Sequence, residues 1–198
     1  MIIEGVITTF NRSTSKPNFA AMGVTVNENE GFDSAGNLMN FQIRPFEGSR
    51  TFANLKEQGE GVFHLLDDAG LLARAALSDA SDTPVVKATK VAAPLICQAV
   101  NAFEFQVIAA EWSLPRSTLS CQVIQSHQLR NWRGWNRAQN AVLELTILAT
   151  RLHLISENEI RSQIEQLRPL VEKTAGANEW DTWNFVNDYI LKRWKEIS

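Results

Sequence analysis

The hydrophobic pattern of this chain of 198 residues changes once, near residue 130. Before that point, short runs of β-branched and aromatic residues are separated by Gly, Pro, Asn and Asp, which is typical of strands and turns. After residue 135, apolar residues recur at the spacing of helices. We therefore predict a mainly β domain over residues 1–130, followed by a three-helix extension over residues 131–198.

Six runs before residue 130 predict strands. They cover residues 2–10, 19–26, 38–44, 62–66, 103–114 and 119–124. The third run alternates between two faces, one with Met39, Phe41 and Ile43 and the other with Leu38, Asn40, Gln42 and Arg44. Between the strands we predict turns at 27–37 and 115–117, short helices at 50–58 and 71–77, and a long loop at 79–102. This succession favours an antiparallel barrel over a parallel sheet.

Helix start signals recur in the C-terminal part of the chain. Asn and Ser are favoured caps, and a matching residue three positions later completes a capping box. The capping boxes pair Asn136 with Gln139 and Ser156 with Glu159, and Asn178 with Asp181 starts a third helix. The first helix, predicted over residues 138–154, is apolar around most of its circumference, so it must be buried from several directions. The third carries an apolar stripe of Trp180, Trp183, Val186, Ile190 and Trp194.

Composition excludes several classes of protein. Apolar residues make up 44% and charged residues 21% of the chain, as in globular proteins. The net charge of −3 gives no electrostatic reason to bind nucleic acid or an anionic membrane surface. No apolar run reaches the roughly 20 residues of a membrane span, and no signal peptide is visible. Cys97 and Cys121 cannot form a disulfide framework, so a cytoplasmic location is expected.

Recognised catalytic motifs are absent, including the phosphate-binding loop, the dinucleotide fingerprint, the nucleophile elbow and C-x-x-C. His64, His127 and His153 lack partners at ligand spacing, so we expect structural histidines and no metal site. Asp67 and Asp68 have two interpretations, a paired-carboxylate site and, favoured, a turn that caps the next helix. Catalytic residues stay unknown at this point.

Residues 44–54 form the first candidate binding site. A strand ends at Arg44, a turn follows, and Ser49 is placed to cap a helix that begins at Arg50. The free N–H groups and the dipole of a helix N-terminus attract anions, and guanidinium and hydroxyl groups strengthen this attraction. The spacing is consistent with an ordinary capped surface helix and equally with a phosphate site made of Arg44, Ser49, Arg50, Thr51 and Asn54.

The second candidate is the strand at residues 19–26, which reads Phe-Ala-Ala-Met-Gly-Val-Thr-Val. Small residues let a flat heteroaromatic ring lie against the strand, where main-chain groups bind it. Gly23 within a strand also marks a bulge or the close approach of a ligand. Packing in the core is the more frequent role of such residues.

The order of these segments resembles that of a known superfamily. Ala-Ala-Met-Gly-Val is followed by a strand, then by Arg-Pro-Phe-Glu-Gly-Ser-Arg-Thr-Phe-Ala-Asn-Leu, then by Gly-Glu-Gly-Val-Phe-His-Leu. This order resembles the FMN-binding split barrels, the flavin-reductase-like proteins, and most of all an uncharacterised prokaryotic family, domain-of-unknown-function family 447. Residues 137–152 resemble the C-terminal part of that family. The resemblance implies an FMN-binding split β-barrel with antiparallel Greek-key strands and a C-terminal helical subdomain.

The resemblance also implies a cofactor and its ligands. In the family, the strand that matches residues 20–26 lines the isoalloxazine ring of FMN, and the turn that matches residues 49–54 holds the phosphate. The residues carried over are Met22, Gly23, Val24, Arg44, Ser49, Arg50, Thr51 and Asn54. Two departures weaken the case for reductase activity more than for FMN binding. Ala21 replaces the usual proline, and no nicotinamide-contacting histidine motif lies near the C-terminus.

The predicted function is that of an FMN-binding flavoprotein. It is either an FMN-dependent oxidoreductase of unknown substrate with a small-molecule electron donor or acceptor, or a non-enzymatic flavin carrier or sensor that docks a partner protein. A barrel without a cofactor is the third interpretation. A homodimer is expected, because split-barrel relatives complete each flavin site with residues of a second chain. The apolar helix after Asn136 supports this unless the other helices cover it. Trp132 and Trp135 are candidates for reaching the flavin of the second chain, with hinge packing as the alternative.

Overall fold

The structure of this chain, a computed structural model, describes residues 1–78, 80–113 and 116–197. The chain divides into two compact units. The first comprises Met1–Leu66 and Ser81–Trp132, and the second comprises Asp67–Ala80 and Arg133–Ser198. The segment at residues 67–80 therefore groups with the C-terminal helices, although it precedes the domain boundary that the sequence predicts.

The first unit is a closed antiparallel barrel of six strands. In chain order the strands are β1 (Ile2–Asn11), β2 (Lys16–Thr25), β3 (Asn40–Ile43), β4 (Glu60–Leu65), β5 (Val85–Val86), β6 (Leu95–Ile96), β7 (Asn101–Glu111) and β8 (Thr118–Gln128). The order around the barrel is β1-β2-β3-β8-β7-β4, while β5 and β6 form a small separate sheet. Because β4 returns to lie beside β1, the first four strands form a Greek key. The predicted antiparallel barrel is confirmed.

Aromatic side chains fill the barrel. The ring centroids of Phe41 and Phe63 lie 5.7 Å apart, within the range that aromatic pairs favour. Helix α1 (Arg50–Gln58) adds Leu55 to the same core. The helix ends at Gly59, whose positive φ of 64° lets its N–H donate to the Leu55 carbonyl. Burial of Leu55 therefore attaches α1 firmly to the barrel.

Strand β3 is shorter than predicted, and its alternation of buried and exposed side chains begins at a later residue. The sequence pattern places Met39 on the same face as Phe41 and Ile43, but Met39 is exposed and Leu38 is buried. Leu38 forms an isolated bridge with Phe32 and packs in the barrel core ahead of the strand. Because alternation holds only along a regular ladder, the predicted faces of Leu38 and Met39 are wrong.

The predicted loop at residues 79–102 is also wrong in part, since it contains β5, β6 and the start of β7. Strands of two residues are too short to produce a period-two pattern. Asp79 of that loop, Leu114 of the predicted strand and Pro115 of the predicted turn lie outside the described residues.

The second unit is helical. It contains α2 (Ala69–Leu77), α3 (Arg137–Ala149), α4 (Glu157–Thr174) and α5 (Ala177–Ile197). Helix α3 packs against each of the other three, and Ala141, Val142 and Leu145 are buried among them. The chain therefore covers its own apolar helix, which is one of the two alternatives that the sequence left open. None of the helices in the described part of the chain has the length and apolar character of a membrane span.

The predicted helix starts are correct in most cases. The capping oxygens belong to Asp68 for α2, Asn136 for α3 and Ser156 for α4. Asn178 is not a cap, because it lies inside the first turn of α5 and donates a hydrogen bond to Asp68 Oδ1 at 3.2 Å. Helix α3 ends at Ala149 instead of residue 154, because the chain turns over residues 150–154.

Candidate functional site

The N-terminus of α1 carries hydrogen-bond donors that point out of the helix. Gly48, with a positive φ of 81°, makes the turn before it, and the Ser49 hydroxyl accepts from the Phe52 N–H at 3.1 Å. Among the described residues, no acceptor meets the N–H groups of Arg50 and Thr51. The Arg50 side chain is exposed. Free N–H groups beside a guanidinium are the arrangement that binds an anion.

Two predicted site residues on α1 face the barrel instead. Thr51 and Asn54 are 2% and 1% exposed. The Thr51 hydroxyl accepts from Asn18 Nδ2 at 2.9 Å. The Asn54 side chain donates to the Thr9 hydroxyl at 2.9 Å and accepts from Asn11 Nδ2 at 3.2 Å. These two side chains dock the helix on β1 and β2, so their role in this structure is to hold α1 in place.

Arg44 lies outside this docked group. It follows β3 and is exposed. Sequence reasoning missed another cation nearby, Arg116, which forms an isolated bridge with Phe46 of the same turn. Its guanidinium carbon is 5.9 Å from the centre of the Phe46 ring. Only the pairing of distant segments brings Arg116 here, and no local pattern in the sequence marks it.

Within residues 1–78, 80–113 and 116–197, one edge of strand β2 pairs with no other strand along most of its length. All ten of its residues pair with β1, whereas only Thr25 pairs with β3, opposite Gln42. Val26 exchanges both of its main-chain hydrogen bonds with Met1. Because main-chain direction alternates along an antiparallel strand, Phe19, Ala21 and Gly23 turn their N–H and C=O groups away from β1. In the described part of the chain, no strand pairs with these groups.

The side chains of the predicted ring-binding strand lie on two faces. Val24 is fully buried in the barrel core, and Met22 packs against that core. Gly23 lies on the other face, where an added Cβ would be 2.7 Å from Ile2 Cγ2 and 2.9 Å from a Glu4 carboxylate oxygen. The surface that β2 offers a ligand is therefore its main chain, and the Val24 side chain does not reach it.

A cleft of about 520 Å³ lies next to Thr25, the residue at which β2 pairs with β3. This volume is typical of small-molecule sites. Its lining combines amide, hydroxyl and apolar side chains with a single charged side chain, that of Glu30. The lining residues are Thr25, Val26, Asn27, Glu30, Gly31, Asn40, Phe41, Gln42, Ile108, Ser120 and Cys121. Such a lining suits a neutral molecule with hydrogen-bonding groups.

Two buried ionisable groups have structural partners. His64 donates from Nδ1 to the Val6 carbonyl and accepts from the Ile96 N–H at Nε2, both at 3.1 Å. Burial lowers the pKa of His64 to about 4, so the ring is neutral near pH 7. Glu104 accepts from His127 Nε2 at 2.6 Å across β7 and β8. Among the described residues, no group of His, Cys, Asp and Glu is arranged to hold a metal ion.

Solved structures of flavin-binding proteins share this fold. The FMN-bound protein MM1853 from Methanosarcina mazei has a TM-score of 0.76 at 22% identity, covering 95% of this chain and 94% of that one. Flavoredoxin of Desulfovibrio vulgaris has a TM-score of 0.52 at 13% identity, covering 64% and 69%. The NADH:FAD oxidoreductase SgcE6 of Streptomyces globisporus has a TM-score of 0.51 at 15% identity, covering 63% and 74%.

Two family models match the chain in sequence. The first, described as "Protein of unknown function (DUF447) N-terminal domain", matches residues 3–130. The second, described as "Protein of unknown function (DUF447)", matches residues 136–187. No functionally curated protein matches the chain. Because the first model alone spans more than half of the sequence, the chain belongs to the DUF447 family.

Proposed function

We propose that this chain is an FMN-binding flavoprotein. The observation that carries the proposal is that the open edge of β2 lies beside the free N–H groups at the N-terminus of α1. The hydrogen bond between Asn18 on β2 and Thr51 on α1, at 2.9 Å, joins these two elements. The edge would hold the isoalloxazine ring, and the helix N-terminus would hold the phosphate. The fold shared with FMN-bound MM1853 supports the same cofactor.

The residues present fit FMN chemically. The ring carries N–H and C=O groups along one edge, and the main chain of Phe19, Ala21 and Gly23 offers complementary groups. The phosphate carries negative charge, which the free N–H groups and the Arg50 guanidinium would stabilise, with Ser49 close by. The carried-over residues Met22, Val24, Thr51 and Asn54 would then support the site from the barrel side, and Arg44 would add positive charge.

When bound, FMN supplies the redox chemistry, and the protein binds and orients it. The cleft beyond Thr25 lies next to the open edge of β2, which favours an oxidoreductase over a flavin carrier. Its amide and hydroxyl lining would orient a small electron donor or acceptor. Glu30 would disfavour an anionic one, since like charges repel. A protein whose flavin is not reduced by any neutral donor tried and, once reduced, is not reoxidised by any neutral acceptor tried would instead be a carrier or sensor.

We expect the purified protein to contain FMN and not FAD. The structure offers one anion-binding helix N-terminus beside the β2 edge, which matches one phosphate. Flavin released by denaturing the protein is identified by chromatography and mass spectrometry. Recovery of FAD alone, or failure to take up FMN on reconstitution, would contradict the proposal.

We expect Arg50→Ala to weaken FMN binding by about ten- to a hundredfold, since a hydrogen bond to a charged group contributes about 1.5–3 kcal/mol. Arg12→Ala is the matched control, because Arg12 is also exposed but lies in the turn after β1. Titration of FMN fluorescence measures both dissociation constants. Equal constants for the two variants would remove Arg50 from the site.

We also propose a homodimer in the cytoplasm. Phe46, Ile108 and Trp112 are 56%, 60% and 42% exposed on the barrel unit, and a second copy would bury such apolar side chains. The exposed thiol of Cys97 has no disulfide partner, which suits a reducing compartment. Trp132 and Trp135 remain candidates for contact with the flavin of the second copy.

The expected mass in solution is about twice the chain mass of 22.2 kDa. A stable dimer buries roughly 1,200–2,000 Å² in total. Light scattering at micromolar concentration measures the mass, and Ile108→Lys is expected to shift it toward the monomer. A monomer that still holds FMN would exclude both the dimer and a shared flavin site.

A further inference from the structure

Helix α1 is attached to the barrel at both of its ends. Toward its C-terminus, Leu55 packs in the core and the Gln58 amide donates to the Phe10 carbonyl. In the middle, Asn54 bonds to the Thr9 hydroxyl. At the first turn the contact is between Asn18 Nδ2 and Thr51 Oγ1, at 2.9 Å. This last bond sets the position of the helix N-terminus relative to β2.

The two partners of this bond belong to the two halves of the candidate site. Asn18 immediately precedes Phe19, one of the residues on β2 whose main chain faces the open edge. Thr51 carries one of the free N–H groups of α1, and the residue as a whole is 2% exposed. A bond between buried or half-buried groups at this place holds the two halves at a constant separation.

We propose that Asn18 is a positioning residue that sets the preference of this protein for a flavin with a terminal phosphate, an inference that depends on the proposed function above. Without the Asn18 bond, the first turn of α1 moves relative to β2, and the phosphate loses its N–H donors. The open edge of β2 keeps its main-chain groups, because β1 holds that strand along its whole length. Riboflavin, which has no phosphate, would therefore bind as before.

The test compares FMN with riboflavin in the full-length protein. Dissociation constants are measured by fluorescence titration, together with the midpoint of thermal unfolding. In Asn18→Ala, we expect the ratio of FMN to riboflavin affinity to fall by about three- to tenfold, the effect of one hydrogen bond, while riboflavin affinity changes less than about twofold. Thr51→Val removes the same bond from the other side with little change in shape, and the same fall is expected there.

The matched control is Thr9→Val. It removes the hydroxyl that Asn54 Nδ2 reaches, also at 2.9 Å, but leaves the first turn attached. We expect a lower unfolding midpoint and an unchanged ratio. The positioning role is overturned if the ratio of FMN to riboflavin affinity stays at the wild-type value in both Asn18→Ala and Thr51→Val. It is also overturned if this ratio falls equally in Thr9→Val. Wild-type protein that binds neither flavin overturns the proposed function itself.

Discussion

Replacement of Glu104 by glutamine is expected to lower the free energy of unfolding at pH 7 by about 3 kcal/mol, because hydrogen bonds to a buried carboxylate contribute about 1.5–3 kcal/mol each. The carboxylate is fully buried and accepts hydrogen bonds from the N–H groups of Thr89, Lys90 and Val91, from the Thr89 hydroxyl and from His127. A glutamine amide cannot accept all of them, because one of its two polar ends is a donor.

The pH dependence gives this prediction a second signature. Burial raises the pKa of Glu104, but the hydrogen bonds from Thr89, His127 and Lys90 outweigh burial and lower the pKa from 4.5 to about 2. The folded state thus holds its proton less tightly than the unfolded chain. The stabilisation is fully present above pH 4.5 and is lost as the pH falls through about 2.

Urea denaturation at several pH values measures the effect. Glu111→Gln is the control, because Glu111 lies on the same strand with its side chain exposed, and we expect it to change stability by less than about 0.5 kcal/mol. The difference in the free energy of unfolding between wild type and Glu104→Gln should become smaller below pH 4.5. A difference that stays constant down to pH 2 would show that the ionised carboxylate is not its source.

Because His64 takes up a proton more readily in the unfolded chain than in the folded one, the protein is expected to be less stable in mild acid. Burial is the main reason why the pKa of His64 falls from 6.5 to about 4. Above pH 6.5 the ring is neutral in both states, and between pH 6.5 and about 4 only the unfolded chain takes up the proton. The free energy of unfolding therefore falls by about 3 kcal/mol across this window and levels off below it.

The variant His64→Gln removes the titrating ring and keeps a donor and an acceptor. We expect its stability to be lower at pH 7 but to change less between pH 6.5 and 4 than that of wild type. His153→Gln serves as the control, because it replaces a histidine whose side chain is exposed in the folded chain. If His64→Gln keeps the slope of wild type, another group is responsible for the loss of stability.

The helices were largely predictable because their ends are set by near neighbours. The cap at Ser49 accepts from a residue three positions away, and Gly59 closes the same helix through Leu55. The span of α1 could therefore be predicted without knowledge of the rest of the chain. Where a cap depends on a distant partner, prediction was wrong, as with Asn178, whose side chain bonds to Asp68 110 residues away in sequence.

The candidate site was predictable only in part. Local signals pointed to Ser49 and Arg50 at a helix N-terminus and to a small-residue strand around Gly23. The sequence did not distinguish side chains that face a ligand from side chains that dock the helix, since Thr51 and Asn54 have the same polar character in either role. Asn18 carried no signal at all, because its partner lies 33 residues away.

The order of the six barrel strands, the helix caps at Ser49, Asn136 and Ser156, and the family could be predicted from the sequence, because these depend on residues close together along the chain. Three features could be seen only in the folded chain: no strand of the described residues pairs with one edge of β2 beyond Thr25, the other helices cover α3, and His127 contacts Glu104, 23 residues away in sequence. These features depend on contacts between segments that are distant in sequence, and those contacts depend on the packing of the whole barrel or helical bundle. A short run of residues therefore does not predict them.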